Sequence, residues 1–219
     1  MLKKILICAA LTLMTCLTGC GSEKISGSPD KAILAYAQIA MTGASDNMSA
    51  AGFDEQDANE IRFNVARTFV DSMKSITPLS EATAEEVTKI YFNKLKDNVK
   101  FQVTLTKDDA EHPIVALTTT PVDQAGTART SALKNDEIIA LLGMVGQLKS
   151  DGANEQQLKD NPEVQKLAVT ALTKYIENIR FQPEKTFEVT CTKLTGRDGN
   201  LHWAPVDSEA FVNFLTGQS

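Results

Sequence analysis

The sequence predicts an α+β fold of duplicated helix–hairpin units, with about four antiparallel strands packed against helices. Three observations predict it. Long segments carry apolar residues at spacings of three and four, short segments alternate apolar with polar residues, and a helix–strand–strand–helix order occurs twice, 84 residues apart. With 42% apolar residues, the 219-residue chain has enough to bury a core.

Residues 1–19 stand apart from that body. Lys3 and Lys4 are followed by the apolar run "ILICAALTLM" and then by small residues, the order of a secretory signal peptide. The run is shorter than the roughly 20 apolar residues that a membrane-spanning helix needs. Leu17-Thr18-Gly19-Cys20 resembles a bacterial lipobox, whose cysteine takes a diacylglycerol thioether and becomes the first residue after cleavage. The resemblance implies Cys20 as the lipid-attachment residue, acyl chains such as palmitate, and a lipid-anchored position on the cell membrane facing outside the cytoplasm. Two acyl chains suffice for stable anchoring, at about 0.8 kcal/mol for each buried methylene. The alternative is an ordinary signal peptide with Cys20 in a disulfide. Cys8 and Cys16 leave with the leader, so a lipid on Cys20 leaves Cys191 without a partner. Residues 20–28, "CGSEKISGS", read as a flexible tether spanning roughly 15–18 Å.

Five helices are expected. "SPDKAILAYAQIAM" offers Ser28 as N-cap and Pro29 at the first helical position. Residues 55–75 place Ile61, Val65, Phe69 and Met73 on one face. "TAEEVTKIYFNKL" suggests a capping box of Thr83 with Glu86 and a stripe of Val87, Ile90, Tyr91 and Leu95. "NDEIIALLGMVGQL" is helical but weakened by Gly143 and Gly146. In the fifth, Asn161 caps, Pro162 opens, and the stripe runs from Val164 through Leu167, Ala168, Ala171, Leu172, Tyr175 and Ile176 to Ile179.

Strands follow the third and fifth helices. Val99, Phe101, Val103 and Leu105 alternate before the polar turn Asp108–His112 and the strand "PIVALTTTP". Phe187, Val189 and Cys191 alternate before "TGRDGN" and "LHWAP". Each pair reads as a β-hairpin. "PVD" closes both hairpins, at 121–123 and 205–207, and a helical segment follows each. The units expected are 29–134 and 135–219, or one composite domain of both. Trp203 and His202 in the second stand where the first has Thr119 and Thr118, which suggests that the second presents a pocket.

Chemical signatures are sparse, and the sequence assigns no catalytic, cofactor-binding or metal-ligating residue. The turn Lys107–His112 holds Asp108, Asp109 and Glu111 but lacks the alternation of a calcium loop, so it reads as a solvated hairpin tip. A second hairpin symmetric about Arg197 sets Cys191 opposite Trp203 and His202 opposite Thr192 on the other face, which separates thiol from imidazole; a one-residue slip would unite them. Cys191 is therefore expected as a small buried hydrophobe and Trp203 as a packing anchor.

Cleavage before Cys20 leaves 20 basic and 28 acidic residues, a balance of −8. That charge gives no footprint for nucleic acid. The body, with its late tryptophan and "PVDSEAFVNFL", is similar to small surface lipoproteins of undefined function in gut and other low-GC Gram-positive bacteria. The function expected is a non-enzymatic binding or interaction module of the cell envelope, its partners being membrane lipid through acylated Cys20 and an envelope peptide, wall component or protein. The alternatives are a cell-surface hydrolase using carboxylates and an envelope assembly subunit.

Overall fold

The computed structural model describes residues 25–44, 46–73, 77–123, 126–127, 136–196 and 199–217. Cys20 and the rest of residues 1–24 lie outside them, as do the side chains of Val65, Phe69 and Met73. The described residues form an α+β fold. Its helices are α1 Pro29–Thr42, α2 Glu55–Met73, α3 Glu81–Asn98, α4 Asp136–Ser150, α5 Glu155–Asp160, α6 Pro162–Glu177 and α7 Ser208–Leu215. The strands are β1 Phe101–Lys107, β2 Ile114–Thr119, β3 Lys185–Thr195 and β4 Leu201–Pro205, paired antiparallel in the order β1-β2-β3-β4.

The helix ends follow local chemistry. Pro29 opens α1 where an N–H would have no partner, and Gly43 closes it in the left-handed region (φ 65°), donating to Ile39 O. Ser28 stands at the N-cap, but its side chain makes no capping bond. α3 begins earlier than the expected Thr83–Glu86 box. Ser80 Oγ accepts from Thr83 N at 3.2 Å, so Ser80 caps, Thr83 lies buried inside the first turn and Glu86 is exposed. A serine just after Pro78-Leu79 intercepts the free N–H groups before Thr83 can. Asn161 caps α6 as expected, accepting from Glu163 N and Val164 N, while α5, with its own Asn154–Gln157 capping box, is a helix the periodicity did not suggest.

The chain forms two interleaved compact units. Of the described residues, the first holds those up to Val65, those within Asn98–Val122, and those from Phe181 onward; the second holds those within Ala66–Asp97 and Asp123–Arg180. In the first, the ladders align Phe101, Val103 and Leu105 with Thr119, Leu117 and Val115, and these with Lys185, Phe187 and Val189. Val115, Leu117, Val189 and Cys191 are buried on that side. α1 packs against β1, β4 and β2 and against the short 3-10 turn Met48–Ala51, and Phe214 of α7 stacks on Phe187 with centroids 4.9 Å apart. In the second, Ile138, Leu141 and Val145 of α4 and Leu158 of α5 are buried with Val164, Ala168, Leu172 and Ile176 of α6, the helix both lie against.

The hairpins do not share a register. At an offset of 84, Val103↔Leu117 would map onto Phe187↔Leu201, whereas Phe187 pairs with Leu117 and Leu201 with Thr195. β3 is long enough to serve two neighbours in turn, 185–190 with β2 and 191–195 with β4.

Glycine substitutions separate local propensity from packing. A methyl at Gly143 or Gly146 of α4 would meet no atom within 4 Å, so alanine at either should stabilise by about 0.5–1 kcal/mol. Gly52 has φ +77° and its added Cβ would overlap the imidazole of His202, so Gly52→Ala should cost more than about 1–2 kcal/mol. Denaturant midpoints of the three variants check both signs.

Candidate functional site

Thiol, imidazole and indole, the groups the sequence singled out, all lie in the second hairpin. Its ladder pairs Cys191 with Pro205, Lys193 with Trp203 and Leu194 with His202, two residues out of step with symmetry about Arg197. Side chains change face with every single residue, so an even displacement preserves the faces. Cys191 still shares the side of Trp203, and His202 takes the other. Thiol and imidazole are therefore not brought together. His202 is buried with its ring against Gly52.

Cys191 has no solvent exposure, and its Sγ lies 3.7 Å from the Val189 carbonyl. Burial pushes its thiol up to about 12. The tyrosine beside it, Tyr36, is also raised, first by burial and then by Cys191. Trp203 is 6% exposed, too little to stack on a ligand, and Lys193 Nζ stands 5.6 Å from its ring centroid. Lys193 also donates to Glu111 Oε1 at 2.7 Å. The indole thus packs beneath a cation that is itself paired, and it does not present the pocket suggested by its contrast with Thr119.

The acidic turn serves its own backbone. Asp109 Oδ1 accepts from His112 N at 2.9 Å and Glu111 N at 3.0 Å, while Oδ2 lies 3.2 Å from Lys107 Nζ. Those two N–H groups, His112 first, and then Lys107 hold the carboxyl far below the usual carboxylate range. Among the described residues, no three His, Cys, Asp or Glu side chains are grouped to hold a metal ion.

The surface best suited to contact another molecule is the side of β1–β3 turned away from the core. Register places Gln102, Thr118 and Thr186 in one row and Thr104, Ala116 and Glu188 in the next; past an irregularity at Thr106, Ile114 pairs with Lys107 on one side and Thr190 on the other. All the β1 and β3 members are exposed, and the β2 members are half-buried between them. Thr118 and Thr186 share a hydrogen bond of 2.7 Å, and Thr106 Oγ1 donates to Ile114 O. Hydroxyl, amide and carboxylate groups border a shallow centre at Ala116. Such a face can hydrogen-bond an extended polar chain. Sequence reasoning followed the apolar positions and passed over these. The signal was the alternate threonines themselves, in "QVTLTK" and "KTFEVT".

No family model matches the chain, and no curated protein matches it. Among solved structures it is similar to one described as "a putative lipoprotein (ycdA) from Bacillus subtilis", with a TM-score of 0.54 and 17% identity. The likeness covers 86% of this chain and 55% of that one, so this chain spans about half the length of its neighbour. At that identity the shared property is the fold.

Two measurements check the chemistry. Cys191 in the folded, Cys20-blocked protein should resist thiol reagents near neutral pH and react once denatured; reaction at the rate of a free cysteine would contradict its burial. Asp109 has a folded pKa depressed below its unfolded value of about 3.9, so its stabilising effect is complete above that pH and lost as pH falls through the folded value. The stability difference between wild type and Asp109→Asn should therefore shrink on acidification, as pH-dependent denaturation curves would reveal.

Proposed function

We propose that this chain is a membrane-anchored, extracytoplasmic lipoprotein acting as a non-enzymatic binding module of the cell envelope, with the open side of β1–β3 as its contact surface. The anchor is supported by the segment Leu17–Cys20 and its leader. Among the described residues, no helix is long and apolar enough to cross a membrane, which is compatible with attachment through lipid. The description of the Bacillus subtilis neighbour as a lipoprotein agrees with the same reading.

The observation that carries the binding role is the register that sets Gln102, Thr104, Thr186 and Glu188 outward on β1 and β3, either side of β2, with exposed Thr106 and Thr190 beyond them. Flat arrays of hydroxyl and amide groups suit an extended polar polymer, a peptide or a wall glycan, because each strand repeat offers donors and acceptors about every 6.6–6.8 Å.

The anchor is tested by intact mass. Native protein should begin at Cys20 and carry a diacylglycerol, and Cys20→Ala should leave the membrane fraction. A bare thiol at residue 20, or a retained leader, would overturn it. The contact surface is tested by Ala116→Arg, which puts a long cation at the centre of the face. This variant should melt within a few degrees of wild type yet lose the component that wild type retains from solubilised envelope. Equal retention by both proteins would exclude this face.

A further inference from the structure

We propose that the edge formed by Ile25, Ser26 and the start of β4 is the part of the first unit that lies against the lipid bilayer. This rests on acylation of Cys20. Ile25 forms a parallel bridge to Leu201, and Ser26 N donates to Leu201 O at 2.8 Å. Gly27 then turns with φ 76°, where an added Cβ would stand 3.0 Å from Ala50 O. The chain is thus held to the body from Ile25, before α1 begins.

Covalent length sets the consequence. Five residues separate Cys20 from Ile25, so even a fully extended chain reaches about 17–18 Å. The lipid therefore keeps Ile25 within that distance of the headgroups, with Leu201 and then Thr195 one and two strand spacings of about 4.8 Å further on.

Strand β3 runs away from this edge. Lys185 is ten residues from Thr195, about 33 Å along the strand. Ile25 to Ser28 and Leu201 carry no charge. The charges along β3 do not rank its two ends, since Glu184 and Glu188 flank Lys185 at one and Lys193 pairs with Glu111 near the other, within a mature chain of net charge −8. An anionic membrane repels the acidic body and leaves the neutral edge unopposed. Ile25, 40% exposed, is also a large apolar side chain that can meet the interface.

The test uses the native acylated protein in vesicles of phosphatidylcholine and phosphatidylglycerol containing a headgroup-linked energy acceptor. A donor dye is placed at Asn200→Cys or at Lys185→Cys; Cys191 is buried and Cys20 is blocked by lipid. Transfer from position 200 should exceed that from 185 at least twofold. Equal transfer, or greater transfer from 185, overturns the inference while the anchor stands. Ser26→Pro removes the N–H given to Leu201, and with the melting temperature unchanged it should lower transfer from 200 while the protein still floats with vesicles. Unchanged transfer in that variant would show that docking at Leu201 does not set the orientation. Native protein that does not float, or carries no acyl mass on Cys20, ends both the anchoring reading and this inference, and mass alone distinguishes that failure from the others.

Discussion

Strand β3 is the constraint on which the first unit depends. Its first six residues complete a ladder with β2 and its last five a ladder with β4, so one backbone fixes both registers. Val189 and Cys191, either side of the change of partner, face the core, while Glu188 and Thr190 face outward. A slip of one residue in either ladder would reverse all four. Glu188 would then enter an apolar interior without a paired charge, a cost of several kcal/mol even after relaxation. The hydrophobic pattern therefore selects register as well as strand identity. The polar face opposite the core is the other half of the same selection.

A second constraint closes the excursion between β2 and β3. In the first unit, Val122 bridges to Phe181, and Gln182 N donates to Pro121 O at 2.7 Å. In the second, Asp123 N donates to Arg180 O at 2.8 Å, and Thr127 Oγ1 accepts from Arg180 N while donating to Asp123 O. Each unit thus ties its own two chain ends together. The entropy of closing a loop grows only slowly with its length, so a few bonds at the neck suffice to make a 58-residue excursion compatible with a continuous sheet.

Much of this fold was legible from periodicity, because periodicity records which side of an element is buried. The stripe of α6 from Val164 to Ile176 and the alternation in β1 and β3 translate directly into burial. Less legible were features decided by competition between close neighbours. Ser80 and Thr83 are both good caps three residues apart, and only the geometry at Pro78 shows which one faces the free N–H groups. The α5 helix spans six residues, too few for a stripe. The separation of Cys191 from His202 depended only on parity, and so held although the predicted turn centre was wrong. The open face was present in the alternate threonines, but the order of residues alone does not show that their side of the sheet is exposed.

The two "PVD" segments explain why sequence likeness at a fixed offset coexists with different pairing. In each, proline and valine stand at or just past the end of a strand, and aspartate turns the chain into a helical turn. Asp123 Oδ1 accepts from Gly126 N at 2.8 Å, and Asp207 Oδ1 accepts from Ala210 N at 2.8 Å, the same bond three residues on. That bond satisfies an otherwise free N–H at the start of a helical turn, wherever the preceding strand is paired. Proline suits both sites because it gives the strand no N–H to continue the ladder. The repeated motif therefore records a repeated local demand, the change from strand to helix. Register is set elsewhere, by the division of β3 between its two neighbours, and the different pairing of the two hairpins leaves the motif untouched.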